Sequence, residues 1–215
     1  MKKFFVLTIL FALPIVTYLF FASGKNNFAK LPILTKKVSE ISSLHSFKDD
    51  SISFANHISV VAFFGDNLDN LKGNTFNLDK KILEKYYGFK DFQFVIVLPE
   101  KARSNAKDFK NAFDKITNAD KWKFVFGDVE DIEMLYQSFK APYKLSETGY
   151  TPYVFIVDKD RNLRGRDDSD ELEVYGYDSR DIAELTNKMN DDVKIILAEY
   201  RLALKKNNAE NSIDK

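Results

Sequence analysis

The chain contains no cysteine among its 215 residues. Disulfide bonds, thiolate metal ligands and thiol catalysis all need the cysteine sulfur, so all three are excluded. Histidine is scarce too, since His45 and His57 are the only 2, and both are too isolated in the sequence to mark a ligand set or a catalytic base. The lack of cysteine does not indicate a compartment, because an exported protein can also lack it.

Neither sign of charge is in excess, since 32 lysines and arginines balance 32 aspartates and glutamates. The whole molecule therefore has no net field that attracts a polyanion, and no basic stripe is interleaved with aromatic residues. We expect no nucleic-acid partner. Hydrophobic residues make up 45% of the chain, with 20 phenylalanines and 10 tyrosines. This length and composition fit one sizeable domain plus an appendage.

The N-terminal residues 1–23 have the pattern of a signal anchor. Lys2 and Lys3 precede an uncharged run from Phe4 to Ala22, which as a helix would span about 28 Å, close to the hydrocarbon thickness of a bilayer. We expect an uncleaved, single-pass helix through residues 4–22 in the inner (cytoplasmic) membrane. The basic start would stay inside, so the soluble domain would face the periplasm or the exterior. Cleavage after the small residues 22–24 is the alternative.

The remainder divides into three parts: a polar, proline-containing tether at 24–43, a domain at 44–204 and a polar, disordered tail at 205–215. Within the domain, residues 44–54 predict short strands. Apolar runs predict longer strands at 58–64, 92–98, 122–126 and 152–157, and helical spacing predicts helices at 75–87, 102–116 and 128–139. A hairpin from Leu163 and a last helix from Asp178 to about Lys205 follow. This alternation predicts an α/β fold with a central mixed sheet flanked by helices.

The organising stretch is the strand Ile58–Phe64, which ends at Gly65 and leads through a polar loop, 66–74, into the first helix. Together with Thr151-Pro152 before a late strand, the hairpin stretch 155–165 and the helix entry 175–178, it resembles the thioredoxin superfamily. Within that superfamily the chain is most similar to the SCO/SenC-type copper chaperones. The resemblance covers roughly residues 44–204 and implies a thioredoxin-like fold.

The copper site of that family is missing from this sequence. SCO proteins bind copper through two cysteines of a CxxxC loop and one histidine before the late strand. Here Asp69 and Gly73 stand near the cysteine positions and Tyr150 near the histidine position. Copper(I) prefers thiolate, thioether and imidazole donors. We therefore expect no cofactor, no thiol–disulfide exchange and no enzymatic activity.

The resemblance also implies a surface for a partner. In the superfamily a cis proline lies against the active-site loop and shapes a groove for an extended polypeptide; here that would be a cis Thr151–Pro152 peptide beside the loop. The candidate partner-binding residues, from the vacated loop and the proline groove, are Asp66, Asn67, Asp69, Gly73, Tyr150, Thr151 and Pro152. An edge-strand start, where proline is tolerated, is the alternative. Tyrosines 143, 150, 153, 175 and 177 would form either an aromatic recognition surface or the lid of the core.

The sequence thus suggests a membrane-anchored, redox-inactive, SCO-like binding or assembly module outside the cytoplasm, acting on an envelope or respiratory-complex protein. The alternative is metal handling through non-cysteine ligands such as Asp66, Asp69, His57 or the acidic run 167–171. Ordinary solvated loops explain these acidic residues as well, and Asp158, Asp160 and Asn162 suit a hairpin turn. For an enzyme with a carboxylate base, the sequence offers no nucleophile–base pair.

Overall fold

The computed structural model describes residues 2–22, 30–48, 50–166 and 173–213. Its eight strands are β1 (Ile33–Thr35), β2 (His45–Ser46), β3 (Ile58–Phe64), β4 (Phe92–Pro99), β5 (Trp122–Gly127), β6 (Tyr150–Val157), β7 (Leu163–Arg164) and β8 (Tyr177–Asp178). Helix α1 is Lys2–Ala22, α3 is Arg103–Asp114 and α4 is Val129–Ser138. Helix α2 (68–86) is built of four consecutive segments, beginning with a 3-10 turn: Leu68–Leu71, Lys72–Leu78, Asp79–Leu83 and Glu84–Tyr86. Helix α5 (182–213) is likewise built of three: Ile182–Glu184, Leu185–Met189 and Asn190–Ile213.

The strands form one mixed sheet in the order β1-β7-β6-β3-β4-β5-β2, with β8 beside β6. Strands β3, β4 and β5 run parallel, whereas β6 runs antiparallel to β3 and β7 antiparallel to β6. Parallel neighbours require crossovers, which α2 and α3 supply. The predicted α/β fold with a central mixed sheet is confirmed.

Both faces of the sheet are covered, and the central strand β3 is buried along its whole length. Successive side chains of a strand point to opposite faces. Val60, Ala62 and Phe64 accordingly pack with residues of α2, α3 and α5. Val61 and Phe63 pack on the other face, with α4 and with residues from the 38–54 segment. The end of β3 is therefore held rigidly in the middle of the molecule.

Helix α2 begins earlier than the sequence predicted. The predicted cap at Asn74 or Thr75 is wrong, because Thr75 is buried inside the helix and its hydroxyl donates to the Leu71 carbonyl at 2.9 Å. Leu68 and Leu71 are buried and extend the apolar stripe of α2 upstream. Much of the predicted polar loop is therefore helical, and only residues 65–67 link β3 to the first turn.

The segment predicted as a tether belongs in part to the folded domain. Leu31, Val38 and Ile41 are buried in the core, and β1 pairs with β7 at the sheet edge. These apolar side chains bury against the sheet, which offsets the cost of ordering the segment. The predicted short strands at 44–54 reduce to β2, which pairs with β5.

The C-terminal helix is also displaced from its prediction. Asp178 lies in β8, and Asp181 caps α5 by accepting hydrogen bonds from the backbone N–H groups of Ala183 and Glu184. The helix runs on to Ile213 through the stretch predicted as a disordered tail from residue 205. That stretch contains neither glycine nor proline, so no residue there breaks the helix.

At the N-terminus, α1 is a helix of 21 residues with Pro14 inside it. Over the described ranges, a search for a helix with both the length and the apolarity of a membrane span finds none.

Candidate functional site

A groove opens at the C-terminal end of β3, between the start of α2 and the entry to β6. It encloses about 370 Å³. Its lining combines an apolar floor with amide, hydroxyl, carboxylate and guanidinium groups: Phe64, Asp66, Asn67, Asn70, Leu71, Asn74, Thr148, Tyr150 and Arg180. The end of β3, the start of α2 and the segment that enters β6 thus meet at one surface.

Gly65 makes this meeting possible. It has a φ of +62°, and a Cβ at its position would lie 2.9 Å from the Cβ of Tyr150 and 3.2 Å from the carbonyl oxygen of Thr148. Glycine adopts positive φ without steric cost and permits close approach of another backbone. The residue after β3 therefore packs directly on the segment that enters β6.

One wall of the groove carries an ion pair. Lys101 Nζ lies 2.6 Å from Asp66 Oδ2, and the Lys101 and Asp66 side chains are 58% and 34% exposed. The hydrogen bond from Lys101 lowers the pKa of the Asp66 carboxyl below its ordinary value. Because the pair faces solvent, its contribution to stability is small, and Asp66 stays ionised at neutral pH.

The opposite wall is fixed by the 178–180 turn. Arg180 Nε donates to Asp178 Oδ1 at 2.9 Å. Ser179 bonds the Pro152 carbonyl oxygen through its backbone N–H at 2.9 Å and its hydroxyl at 2.8 Å. Burial raises the pKa of Tyr150, with smaller opposing effects of Arg180 and Asp178. Tyr150 is therefore a neutral hydrogen-bonding group of the groove at neutral pH.

The predicted cis bond before Pro152 is wrong, since no peptide bond among the described residues is cis. Trans is the intrinsically preferred form of an X-Pro peptide, and β6 already runs in extended conformation from Tyr150. Pro152 sits where the β3–β6 register shifts, between the pairs Ala62–Val154 and Phe64–Tyr150. A missing N–H is tolerated at such an irregularity. The alternative, an edge-strand start, is right about the strand start but wrong about the edge, because β6 pairs with β3 on one side and with β7 and β8 on the other.

The predicted site residues fall into two groups. Asp66, Asn67 and Tyr150 line the groove, whereas Asp69, Gly73, Thr151 and Pro152 are not part of its lining. Asp69 instead lines a neighbouring cavity of about 590 Å³ on the α3 side of the 66–72 segment. Thr151 is buried. Its neighbour Tyr150 supplies the β6 side of the groove.

Of the amide row that lines the groove, the sequence identified Asn67 and missed Asn70 and Asn74. Asn67, Asn70 and Asn74 follow each other at helical spacing, and Asn74 Nδ2 lies 3.5 Å from Ser179 Oγ. The spacing becomes a recognisable signal once the helix is known to start at Leu68. Arg180 was missed because its approach to this surface depends on the β6–β8 pairing.

The tyrosines named from the sequence do not form one surface. Tyr177 is fully buried and donates to Asp192 at 2.6 Å, while Tyr143 and Tyr153 stack with ring centroids 3.7 Å apart. Tyr175 donates to Glu173 at 2.7 Å. Tyr150 is the member of this set that lines the groove, so the core-lid interpretation fits Tyr177 and the recognition interpretation fits Tyr150 alone.

The structure gives no support for the candidate metal ligands within its described residues, where no group of three or more metal-ligating side chains is found. The Asp158 turn is closed by hydrogen bonds from the backbone N–H groups of Asp160 and Asn162 to Asp158 Oδ1, at 3.0 and 2.8 Å. Arg164 pairs with the other oxygen of Asp158 at 2.9 Å. The hairpin-turn interpretation is therefore confirmed. The acidic run 167–171 lies outside the described residues.

Comparisons with known proteins establish the fold. No protein-family profile matches the chain, and no curated protein matches it. Among solved structures, it is similar to BsSco, a member of the Sco family of cytochrome c oxidase assembly proteins, with a TM-score of 0.51 and 18% identity over 77% of this chain and 92% of that one. An inferred electron transfer protein from Aquifex aeolicus VF5 gives a TM-score of 0.52 and 14% identity over 76% and 96% of the two chains.

These structures place the chain in the thioredoxin-like fold, as the sequence resemblance implied. The BsSco structure was described for a disulfide switch, a chemistry that a chain without cysteine cannot carry out. At the end of β3 this chain carries a groove of amide, hydroxyl and charged side chains. Such a lining can bind a polypeptide through hydrogen bonds and apolar contacts.

Proposed function

We propose that this chain is a redox-inactive, SCO-like module that binds a protein partner through the groove between α2 and Tyr150. The observation that carries the proposal is a thioredoxin-like scaffold in which the position of the redox loop holds a cysteine-free groove of about 370 Å³. The partner is an envelope or respiratory-complex protein, and the chain assists its assembly or maintenance without catalysing a reaction.

The composition of the groove supports a polypeptide as its ligand. Asn67, Asn70 and Asn74 offer both donors and acceptors, which match the N–H and C=O groups of an extended backbone. Phe64 and Leu71 supply apolar surface for a side chain of the partner. The groove holds no thiol, so the complex would be non-covalent and reversible.

We further propose that α1 anchors the module in the inner membrane, with the folded domain on the outer side. The uncharged sequence from Phe4 to Ala22 supports this proposal, as do the solvent-facing side chains of α1, among them Phe4 at 79% and Phe20 at 72% exposure. The full-length chain should fractionate with membranes. A shortened product that begins at Lys25 in the soluble envelope fraction would instead show that the leader is cleaved.

The binding proposal is tested by crosslinking in membranes that carry an epitope-tagged copy, followed by denaturing capture of the tag. We expect a discrete protein adduct that is lost in Asn70→Arg, which puts a bulky cation into the groove. Asn187→Arg makes the same substitution at an exposed site of α5 and should leave the adduct intact. Recovery of the tagged chain alone under several crosslinkers would contradict the proposal, as would equal loss in both variants.

A further inference from the structure

A second groove lies at the other side of the Asp66–Lys101 pair, between α3 and the segment after β2. It encloses about 820 Å³ and is strongly basic, since its lining holds five cationic side chains and one carboxylate. The lining residues are Phe47, Lys48, Glu100, Lys101, Arg103, Ser104, Lys107, Lys110 and Asn111. A chain with no net charge therefore concentrates positive charge at one concave surface.

The cations are aligned by the helix that carries them. Arg103, Lys107 and Lys110 follow one another at the i, i+4, i+7 spacing that places side chains on one face of α3. The groove thus presents a row of cations, of which Arg103 is paired with Glu100 and Lys110 with Asp114.

The single carboxylate in the groove lining, Glu100, is already paired with a cation. Glu100 accepts from Arg103 Nη2 at 2.9 Å, and this hydrogen bonding lowers the pKa of Glu100. Lys107 and Lys48 are exposed and form no ion pair with any residue that the structure describes. These two cations of the groove therefore remain available to an external anion.

The floor of the groove is rigid and partly apolar. Phe47 packs edge-on against Phe126 with ring centroids 4.8 Å apart. The Arg103 guanidinium lies 4.3 Å from the centroid of the Phe126 ring and donates to the Ser46 carbonyl at 3.1 Å. Arg103 thus fixes the edge strand β2 to α3.

We propose that this basic groove binds an acidic segment of a partner polypeptide, independently of the groove beside Tyr150. Charge complementarity identifies the ligand as carboxylate-rich. The concave shape, with Phe47 at its floor, suits an extended chain rather than the plane of a lipid surface. A cavity of about 380 Å³ shares Phe47, Lys48 and Lys110 with the groove, but its own lining adds the carboxylates Asp50 and Asp120. The acidic segment is therefore assigned to the groove along α3 alone.

The test uses the full-length chain in detergent and a fluorescein-labelled peptide of alternating glutamate and glycine, followed by fluorescence anisotropy. We expect saturable binding that weakens steeply with salt, because exposed charges are screened within about 10 Å at 0.1 M salt. The peptide with glutamine in place of glutamate should not bind. The double variant Lys48→Glu, Lys107→Glu should bind the acidic peptide at least about tenfold more weakly.

The matched control is Lys90→Glu, Lys194→Glu, which makes the same charge change at two exposed lysines outside the groove and should retain binding to within about twofold. The variant Lys48→Gln, Lys107→Gln should show an intermediate loss, which guards against misfolding of the double reversal. Equal loss in the control or equal binding of the glutamine peptide would each overturn the proposal.

Discussion

Replacing Gly65 by alanine would place a methyl group directly against the residues that form the candidate site. An alanine there must adopt a φ of +62°, which costs an L-residue about 1–2 kcal/mol. Its Cβ would also lie 2.9 Å from the Cβ of Tyr150 and 3.2 Å from the Thr148 carbonyl oxygen. Neither is the tip of a flexible side chain, so overpacking adds about 1–3 kcal/mol. We expect Gly65→Ala to lower the free energy of unfolding by about 2–5 kcal/mol.

Gly73 provides the matched control, because the same substitution should have the opposite sign there. It lies inside the helix Lys72–Leu78, and nothing lies within 4 Å of a Cβ built on it. Replacing a helical glycine by alanine stabilises a helix by about 0.5–1 kcal/mol. The two glycines stand at the two ends of the segment that forms the groove wall, so the pair separates a local steric effect from a general loss of flexibility.

The measurement is urea unfolding of the full-length chain in detergent, followed by fluorescence of the single tryptophan. Trp122 is 2% exposed and reports on the core beside α3. Stability of Gly65→Ala within about 0.5 kcal/mol of wild type, the range of an ordinary surface substitution, would refute the geometry assigned to this turn. A loss in Gly73→Ala as large as that in Gly65→Ala would refute the argument equally.

Three further predictions concern charge and ionisation. Arg164→Met should lower the free energy of unfolding by about 3–5 kcal/mol in urea, because it leaves the buried Asp158 carboxylate without its cation; a loss under about 1 kcal/mol, the range of exposed pairs, would contradict this. Lys101→Met should raise the pKa of Asp66 towards its ordinary value in an NMR titration. The lowered pKa means that the pair's small stabilising effect is present at neutral pH and lost as pH falls below about 4. Burial raises the pKa of Tyr136 to about 12, so stability should fall as pH rises above about 10, where an unfolded tyrosine ionises, and Tyr136→Phe should show a smaller alkaline loss.

The central strands of the sheet were predictable from the sequence because each is marked by its own apolar run. Ile58–Phe64 and Phe92–Pro99 are apolar runs, interrupted by Ser59 and Gln93 alone, that are buried on both faces, and such runs predict central parallel strands. The sequence did not predict β1 and β8, and it predicted β2 only as part of short strands at 44–54, since these strands hold two or three residues each. They exist through pairing with distant strands and carry no periodic signal of their own.

The site was predictable in position but only partly in composition. The end of β3 and the approach of Tyr150 follow from the strand order, which the sequence resemblance supplied. The helix start was missed because Gly73 and the asparagines before it read as loop residues, although burial of Leu68 and Leu71 overrides that propensity. The Thr151–Pro152 peptide was predicted to be cis from the superfamily pattern. In the structure it is trans, and the β3–β6 pairing accommodates it in that form.

The central claim is that the groove between α2 and Tyr150 contacts a protein partner. The most direct measurement places a photo-crosslinking amino acid at Asn70, which is exposed on the groove, and separately at Lys90, which is exposed near the start of β4 at the opposite end of the sheet. Irradiation of intact cells should give a discrete protein adduct from Asn70 that weakens when Tyr150→Ala is combined with it, and no such adduct from Lys90. The same adducts from both positions, or none from Asn70, would contradict the account.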